Sequence, residues 1–158
     1  MWTTEIWRYL KSTSDMGTYL CPGDTGYKVN ISADASFAPG GDRSRTGVVI
    51  RVAGAIVHWS SNRQSGAVMS AHEAELNAAV SGTKVGISIR NIVKEMTEED
   101  APMKLDQDNK ATIRSMLYEV TSWRTRHYAL RAAGIRDLIS TEGITVEHVK
   151  GVRIIAAP

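Results

Sequence analysis

Cysteine is almost absent from this sequence of 158 residues, in which Cys21 is the one example. A single cysteine cannot form a disulfide within the chain, and by itself it cannot hold a zinc ion. Cysteine-based chemistry is therefore disfavoured. The scarcity also agrees with a reducing compartment inside the cell.

Long hydrophobic runs are missing as well. Hydrophobic residues make up 42% and charged residues 23% of the sequence, which is typical of a globular domain. No apolar run approaches the ~20 residues that a membrane span requires. The N-terminal stretch is interrupted by Glu5, Arg8, Lys11 and Asp15, so it lacks the hydrophobic core of a secretory signal. We expect an intracellular protein with no membrane segment.

A marked excess of one charge is the third absence. Nineteen lysines and arginines stand against seventeen acidic residues, which leaves a formal net charge of +2. That charge is too small for the protein as a whole to attract nucleic acid. Any site for a polyanion must therefore be a local patch. The length predicts one domain.

Alternating apolar and polar residues predict three consecutive strands. The first runs from Tyr27 toward Asp34, and the next two cover residues 47–52 and 55–60. Only residues 53 and 54 separate the second strand from the third, which is typical of a tight antiparallel hairpin. Further strands are predicted within residues 103–106 and 144–150.

Helical spacing of apolar residues predicts four helices. Ser70 and Glu73 have the spacing of a capping box, which opens the longest helix and carries it toward Met96. The other helices are predicted within residues 2–17, from Asn109, and over residues 124–141.

The predicted order is therefore one helix followed by βββαβααβ. This order favours an α/β fold with a five-stranded mixed sheet, in which three antiparallel strands precede the parallel ones and helices flank the sheet. Residues 1–26 are predicted to be an N-terminal helix with a turn-rich linker, and residues 27–158 the main domain.

Three carboxylates fall at element ends that this layout brings together. Asp34 ends the first strand, Glu75 lies in the first turn of the longest helix, and Asp108 follows the fourth strand. Open α/β sheets bind ligands at the carboxyl ends of neighbouring parallel strands. Clustered carboxylates repel unless a cation neutralises them, and they suit Mg²⁺ or Mn²⁺, which can support phosphodiester hydrolysis. The alternative is three unrelated surface acids or caps, and spacing alone leaves both open.

Residues 124–136 carry a local charge of +4, because they contain four arginines and no acid. The four are Arg124, Arg126, Arg131 and Arg136. They form either a track for nucleic-acid phosphates or an ordinary solvated helix face, and the sequence favours neither. Weaker candidates beside the predicted hairpin strands are Arg43, Arg45 and Arg63.

Six segments are individually weak but specific as an ordered set. They are S-A-D-A-S at 32–36, H-W-S-S at 58–61 with Gln64 after it, S-A-H-E-A-E-L at 70–76, D-N-K-A at 108–111, R-T-R-H at 124–127 and V-E-H-V at 146–149. In this order they resemble the ribonuclease H domain of copia-type LTR retrotransposon polyproteins. R-Y-L-K at 8–11 likewise resembles the helix that precedes this domain in such polyproteins.

The resemblance implies a ribonuclease H-like fold and an endonuclease that hydrolyses the RNA strand of RNA/DNA hybrids. Asp34, Glu75 and Asp108 match catalytic residues that hold two Mg²⁺ or Mn²⁺ ions in the family. A fourth catalytic acid of the family belongs to an I-A-D-P motif, and here Ala157 takes its place. Because a methyl group cannot ligate a metal, we expect weaker binding of one ion and impaired cleavage.

The expected partners are an RNA/DNA hybrid and the reverse transcriptase domain of the same polyprotein. By position, Asn109 and Gln64 are candidates for contacts with 2′-hydroxyls, and Arg124, Arg126 and Arg131 for contacts with phosphates. The resemblance also implies a cytoplasmic retroelement particle, or alternatively the nucleus, and a chain that is part of a longer polyprotein.

Two alternatives stay open. One is a catalytically inactive ribonuclease H-like module that binds nucleic acid or a protein partner. The other is an integrase or resolvase relative with the same fold, which fits less well because the R-T-R-H segment and the third strand resemble ribonuclease H.

Overall fold

A computed structural model describes residues 2–17, 20, 23, 26–38, 43–66, 68–119 and 126–150, and it leaves out the side chains of Trp2, Arg126 and His127. Within these ranges the chain forms four helices and five strands in the predicted order. They are α1 (Trp2–Ser12), β1 (Val29–Ser36), β2 (Arg45–Val52), β3 (Ala55–Arg63), α2 (Ala71–Thr97), β4 (Met103–Gln107), α3 (Lys110–Leu117), α4 (Arg126–Glu142) and β5 (Thr145–His148).

The five strands form one mixed sheet in the order β3-β2-β1-β4-β5. β1, β2 and β3 pair in antiparallel fashion, whereas β4 lies parallel to both β1 and β5. The predicted fold class is confirmed. The tight hairpin is present too, with Ala53 at φ 51° and Gly54 at φ 85°, because a two-residue turn of this kind needs left-handed backbone at both positions.

Helix α2 covers one face of the sheet and positions the core. Ile31 and Ala33 of β1 are fully buried, and both lie under Gly82, where an added Cβ would approach their side chains to 3.1–3.2 Å. Gly86 lies still closer to the sheet, because a Cβ there would be 2.8 Å from Ile31 Cγ1. Two glycines one helical turn apart thus let α2 lie directly on β1.

The N-terminus of α2 is capped where the sequence predicts, but with a different second bond. The Ser70 hydroxyl accepts from the Glu73 backbone N–H at 3.1 Å. The Glu73 carboxylate accepts from the Met69 N–H at 2.9 Å, one residue before the Ser70 N–H that a capping box uses. Two reciprocal hydrogen bonds between side chains and the backbone therefore stabilise the start of α2.

Some strand ends differ from the sequence-based boundaries. β2 begins two residues earlier than predicted and β3 ends three residues later, at Arg63. The added residues include Arg45 in β2 and Asn62 and Arg63 in β3, and the side chains of all three are exposed. Polar residues there give no alternation of hydrophobicity, so their pairing leaves no signal in the sequence.

Helix α1 exposes its apolar residues. Ile6, Trp7, Tyr9 and Leu10 are each more than half exposed. Across the part of the chain described here, no helix has the length and hydrophobicity needed to cross a bilayer.

Candidate active site

Asp34, Glu75 and Asp108 come together at one end of the sheet. Asp34 lies near the end of β1, Glu75 is the fifth residue of α2, and Asp108 directly follows β4. One carboxylate oxygen of each lies within 4.8 Å of the other two. The sequence expectation that these three side chains converge agrees with this geometry.

The pairing of β1 with β4 explains why Asp34 and Asp108 meet. Ser32 of β1 is level with Asp106 of β4 in the parallel ladder, and each of the two acids lies two residues further along. Asn109 then caps α3, because its side-chain oxygen accepts from the backbone N–H groups of Ala111 at 2.9 Å and Thr112 at 3.2 Å. The cap turns the chain immediately after Asp108.

Glu75 is held by a buried glutamine that the sequence reasoning missed. The Gln107 side chain is fully buried, and its Nε2 donates to Glu75 Oε2 at 2.8 Å. Its Oε1 has no hydrogen-bond partner among the described residues. Gln107 continues the buried positions of Met103 and Leu105 along β4, and a polar residue in that series was the available signal.

The environment of Glu75 favours its neutral form. Burial raises the pKa of Glu75 to about 7, and the nearby Asp34 and Asp108 carboxylates push it in the same direction, while the Gln107 hydrogen bond opposes them. None of the ion pairs among the described residues involves the three acids. The cluster therefore concentrates negative charge that no cationic side chain of the described residues neutralises through an ion pair.

Two histidines hold the elements that carry the acids. His148 of β5 lies with its Nε2 2.9 Å from the backbone carbonyl oxygen of Asp108, which can accept from that nitrogen. His72 in the first turn of α2 lies 3.1 Å from the Ser115 hydroxyl and 3.2 Å from the Thr112 hydroxyl of α3. These contacts fix the start of α2 relative to α3, and hence Glu75 relative to Asp108.

Gln64 has a structural role in this fold. It is 7% exposed, and its Nε2 donates to the Thr46 hydroxyl and to the Ala74 carbonyl, both at 3.0 Å. Its Oε1 accepts from Asn77 Nδ2 at 3.0 Å. The Gln64 amide thus joins β2 and α2, and its contact with a substrate hydroxyl stays a prediction. Asn109 uses its oxygen for the cap of α3, and a nucleic-acid contact by its nitrogen stays a prediction.

The predicted arginine track is described only in part. Arg124 and the Arg126 side chain lie outside the described residues. The same holds for Ala157, which is not part of the track. Arg131 forms an ion pair with the buried Glu73 and lines a groove of about 450 Å³ beside Gln64. Arg136 donates to the backbone carbonyls of Ser115 and Tyr118, at 3.1 and 2.7 Å, so it ties α4 to the end of α3.

Comparison with curated proteins gives one informative relative. The chain is 27% identical over 147 residues to the retrovirus-related Pol polyprotein from transposon RE2 of Arabidopsis thaliana. The match covers 91% of this chain and 10% of the relative, so the chain spans about a tenth of that polyprotein. No protein-family model matches the chain.

Solved ribonucleases H share the fold. The LC11 enzyme isolated from compost has a TM-score of 0.62 at 18% identity, over 80% of this chain and 87% of that one. The enzyme of Halobacterium salinarum has a TM-score of 0.62 at 16% identity, over 82% and 91%. The LC11 enzyme in complex with an RNA/DNA hybrid superimposes with a TM-score of 0.56 at 15% identity, over 82% and 91%.

The chain thus has the ribonuclease H fold, as the sequence predicts. Together, its fold and its relationship to a retrotransposon polyprotein fit a ribonuclease H domain of such a polyprotein.

Proposed function

We propose that this domain hydrolyses the RNA strand of RNA/DNA hybrids during reverse transcription of a retroelement. The observation that carries the proposal is the convergence of Asp34, Glu75 and Asp108 within 4.8 Å at the end of a ribonuclease H fold. Carboxylates in that position can hold divalent cations, which would stabilise the negative charge that develops on oxygen when a phosphodiester is hydrolysed.

The residues present fit a divalent metal. The donor set consists of carboxylate oxygens alone, which hard cations such as Mg²⁺ and Mn²⁺ prefer. Asp34, Glu75 and Asp108 would hold the ions. Divalent ions bound there supply Lewis acidity toward the phosphate and lower the pKa of water. The mutual repulsion of the three acids, which burial intensifies at Glu75, is relieved by the same positive charge.

The chain's own residues then orient the site. Gln107 holds one Glu75 oxygen by its 2.8 Å hydrogen bond, which leaves the other oxygen for a ligand. His148 restrains the Asp108 backbone. The Asn109 cap fixes the turn between β4 and α3. A pre-organised ligand set of this kind loses little conformational freedom when it binds its ion.

Ala157 is proposed to weaken the site. It occupies the position of the family's fourth acid, and an alanine at that position leaves one ion with fewer ligands. We expect slow or absent cleavage in Mg²⁺ and partial recovery in Mn²⁺. An acid at this position restores the missing oxygen ligand.

The reverse transcriptase domain of the same polyprotein is the proposed protein partner. The relative from Arabidopsis thaliana is a Pol polyprotein of which this chain matches a small part. The exposed apolar residues of α1, including Trp7 and Leu10, support a contact with such a neighbour. A retroelement particle in the cytoplasm is the proposed location.

Cleavage of a strand-labelled hybrid tests the function. The Ala157→Asp variant should cut the RNA strand faster than the original chain in Mg²⁺, because it regains an oxygen ligand. We expect a gain of about ten-fold or more, which corresponds to about 1.4 kcal/mol of transition-state stabilisation. A matched double variant, Ala157→Asp with Asp108→Asn, should lose that gain. When the label is on the DNA strand instead, that strand should remain intact, and so should a labelled DNA duplex.

The outcome that would contradict the proposal is equally specific. If Ala157→Asp cuts no hybrid in either Mg²⁺ or Mn²⁺ and yet binds it, the domain is a binding module without nuclease activity. Ala157 is the feature that favours this second candidate. Preferential cutting of the DNA duplex would instead indicate an integrase-like or resolvase-like nuclease.

A further inference from the structure

Three arginines converge at the end of the antiparallel half of the sheet. Arg43, Arg45 and Arg63 line a shallow depression of about 200 Å³ together with Ser36 and Ala38. All three arginines are exposed. We call Arg43, Arg45 and Arg63 the arginine cluster. Arg131 and Arg136 differ from the cluster, because Arg131 forms an ion pair with Glu73 and Arg136 donates to backbone carbonyls.

Strand pairing places the arginine cluster on the same face of the sheet as Asp34. Ser36 is level with Arg45 of β2, which is level with Arg63 of β3. Residues paired across antiparallel strands project to the same face, and so do residues two apart along one strand. Asp34, two residues before Ser36, therefore shares this face with Arg45 and Arg63.

The arrangement brings like charges together. Arg45 and Arg63 are directly opposite each other in the ladder, and like charges in such pairs destabilise a sheet. Among the described residues, no carboxylate forms an ion pair with any arginine of the cluster. The Arg45 guanidinium has a long 3.5 Å contact with the Ser61 carbonyl, which does not neutralise its charge. Exposed positive charge concentrated in a depression suits a phosphate.

The distance from Asp34 indicates which phosphate along a bound strand the arginine cluster can reach. Two residues of strand span roughly 6.6 Å, and each step to a neighbouring strand adds roughly 4.8 Å. The backbones of Arg45 and Arg63 therefore lie roughly 8 to 12 Å from that of Asp34. This separation is small enough for the arginine side chains to reach a phosphate that neighbours the one at the acids on the same strand.

We propose that the arginine cluster binds a backbone phosphate of the RNA strand next to the one that is cut. This inference rests on the proposed function, because it takes the scissile phosphate to lie at the three acids. The arginine cluster fixes the direction and register in which the RNA strand crosses Asp34. It adds salt-dependent affinity without reading the base sequence.

The test is the salt dependence of hybrid binding in EDTA, where binding is measured without cleavage. The double variant Arg45→Gln with Arg63→Gln should weaken binding about ten-fold at low salt and reduce the slope of log K against log salt concentration by about 1 to 2. The charge-preserving double variant Arg45→Lys with Arg63→Lys should keep most of the slope. Its thermal unfolding, and that of the glutamine variant, checks that both are folded.

A matched control removes the same charge elsewhere. Lys84 and Lys94 are exposed on α2, and the Lys94 ammonium forms an ion pair with the exposed Asp100. The double variant Lys84→Gln with Lys94→Gln should bind the hybrid with nearly the original salt slope. If it weakens binding as much as the arginine variant does, the effect is one of net charge and the proposed phosphate site is wrong.

Neutral methylphosphonate linkages identify the strand. Placed in the RNA strand beside the cleavage position, they should remove the difference between the original chain and the arginine variant; placed in the DNA strand, they should leave it. The reverse pattern, or an unchanged affinity in the arginine variant, overturns the inference. Failure of the proposed function gives a different result, because a chain that cuts no hybrid can still show the strand-dependent loss of binding.

Discussion

Glu75 is the most buried acid of the proposed metal site. Burial is the largest influence on its pKa, which is raised to about 7, and the Asp34 and Asp108 carboxylates add to the effect. In the metal-free protein the folded state therefore retains a proton that the unfolded chain releases near pH 4.5. Binding of a cation removes that proton, so the same environment that destabilises the charged acid favours a metal.

The first prediction concerns the stability of the metal-free protein. Because the folded-state pKa of Glu75 is raised, its contribution to stability is present below pH 4.5 and is lost as the pH rises toward 7. The Glu75→Gln variant should escape that loss. In EDTA we expect it to match the original chain near pH 4 and to exceed its free energy of unfolding at pH 8 by about 2 kcal/mol, after allowance for solvent screening.

Urea unfolding at the two pH values measures this difference. The control is Glu99→Gln, which changes the same side chain at an exposed position and should show no such pH dependence. An equal stability of Glu75→Gln and the original chain at pH 8 would contradict the assigned environment of Glu75.

At the scale of elements, the closeness of α2 to the sheet determines where Glu75 lies. Gly86 lies against the fully buried Ile31, and this contact sets the height of the helix above β1. We predict that Gly86→Ala destabilises the protein by about 1 to 2 kcal/mol, because the strain of overpacking exceeds the gain in helix propensity.

A glycine in another helix provides the matched comparison. An added Cβ at Gly134 of α4 meets nothing within 4 Å, so Gly134→Ala should raise the free energy of unfolding by about 0.5 to 1 kcal/mol. Chemical denaturation of both variants measures the pair. A Gly86→Ala protein as stable as Gly134→Ala would show that α2 does not approach β1 as closely as described.

The helices and strands could be predicted from the sequence, whereas side-chain hydrogen bonds between them could not. Alternation identified β1 and the hairpin, and the positions of Asp34, Glu75 and Asp108 at element ends were enough to predict their convergence. Gln64 and Gln107 could not be assigned in this way, because each bonds to a residue distant in the chain. Hydrogen bonds such as that of Gln107 to Glu75 depend on how α2 lies on the sheet, which local pattern does not encode.

At the scale of the whole molecule, a net charge of +2 conceals a strong separation of charge. Three acids converge at one end of the sheet, and the arginine cluster lies at that end, with Arg45 and Arg63 on the same face as Asp34. Such a distribution would allow the proposed metal and phosphate sites to lie side by side while the protein as a whole stays near neutral. It agrees with the sequence-based expectation that any polyanion site is local.

The three acids as a metal site are the central claim, and anomalous diffraction from crystals soaked in Mn²⁺ tests it most directly. The account predicts an anomalous peak at roughly 2.0–2.2 Å from carboxylate oxygens of Asp34, Glu75 and Asp108. Occupancy should rise in the Ala157→Asp variant and vanish in Asp108→Asn. The absence of a peak among the three acids in both the original chain and Ala157→Asp would contradict it.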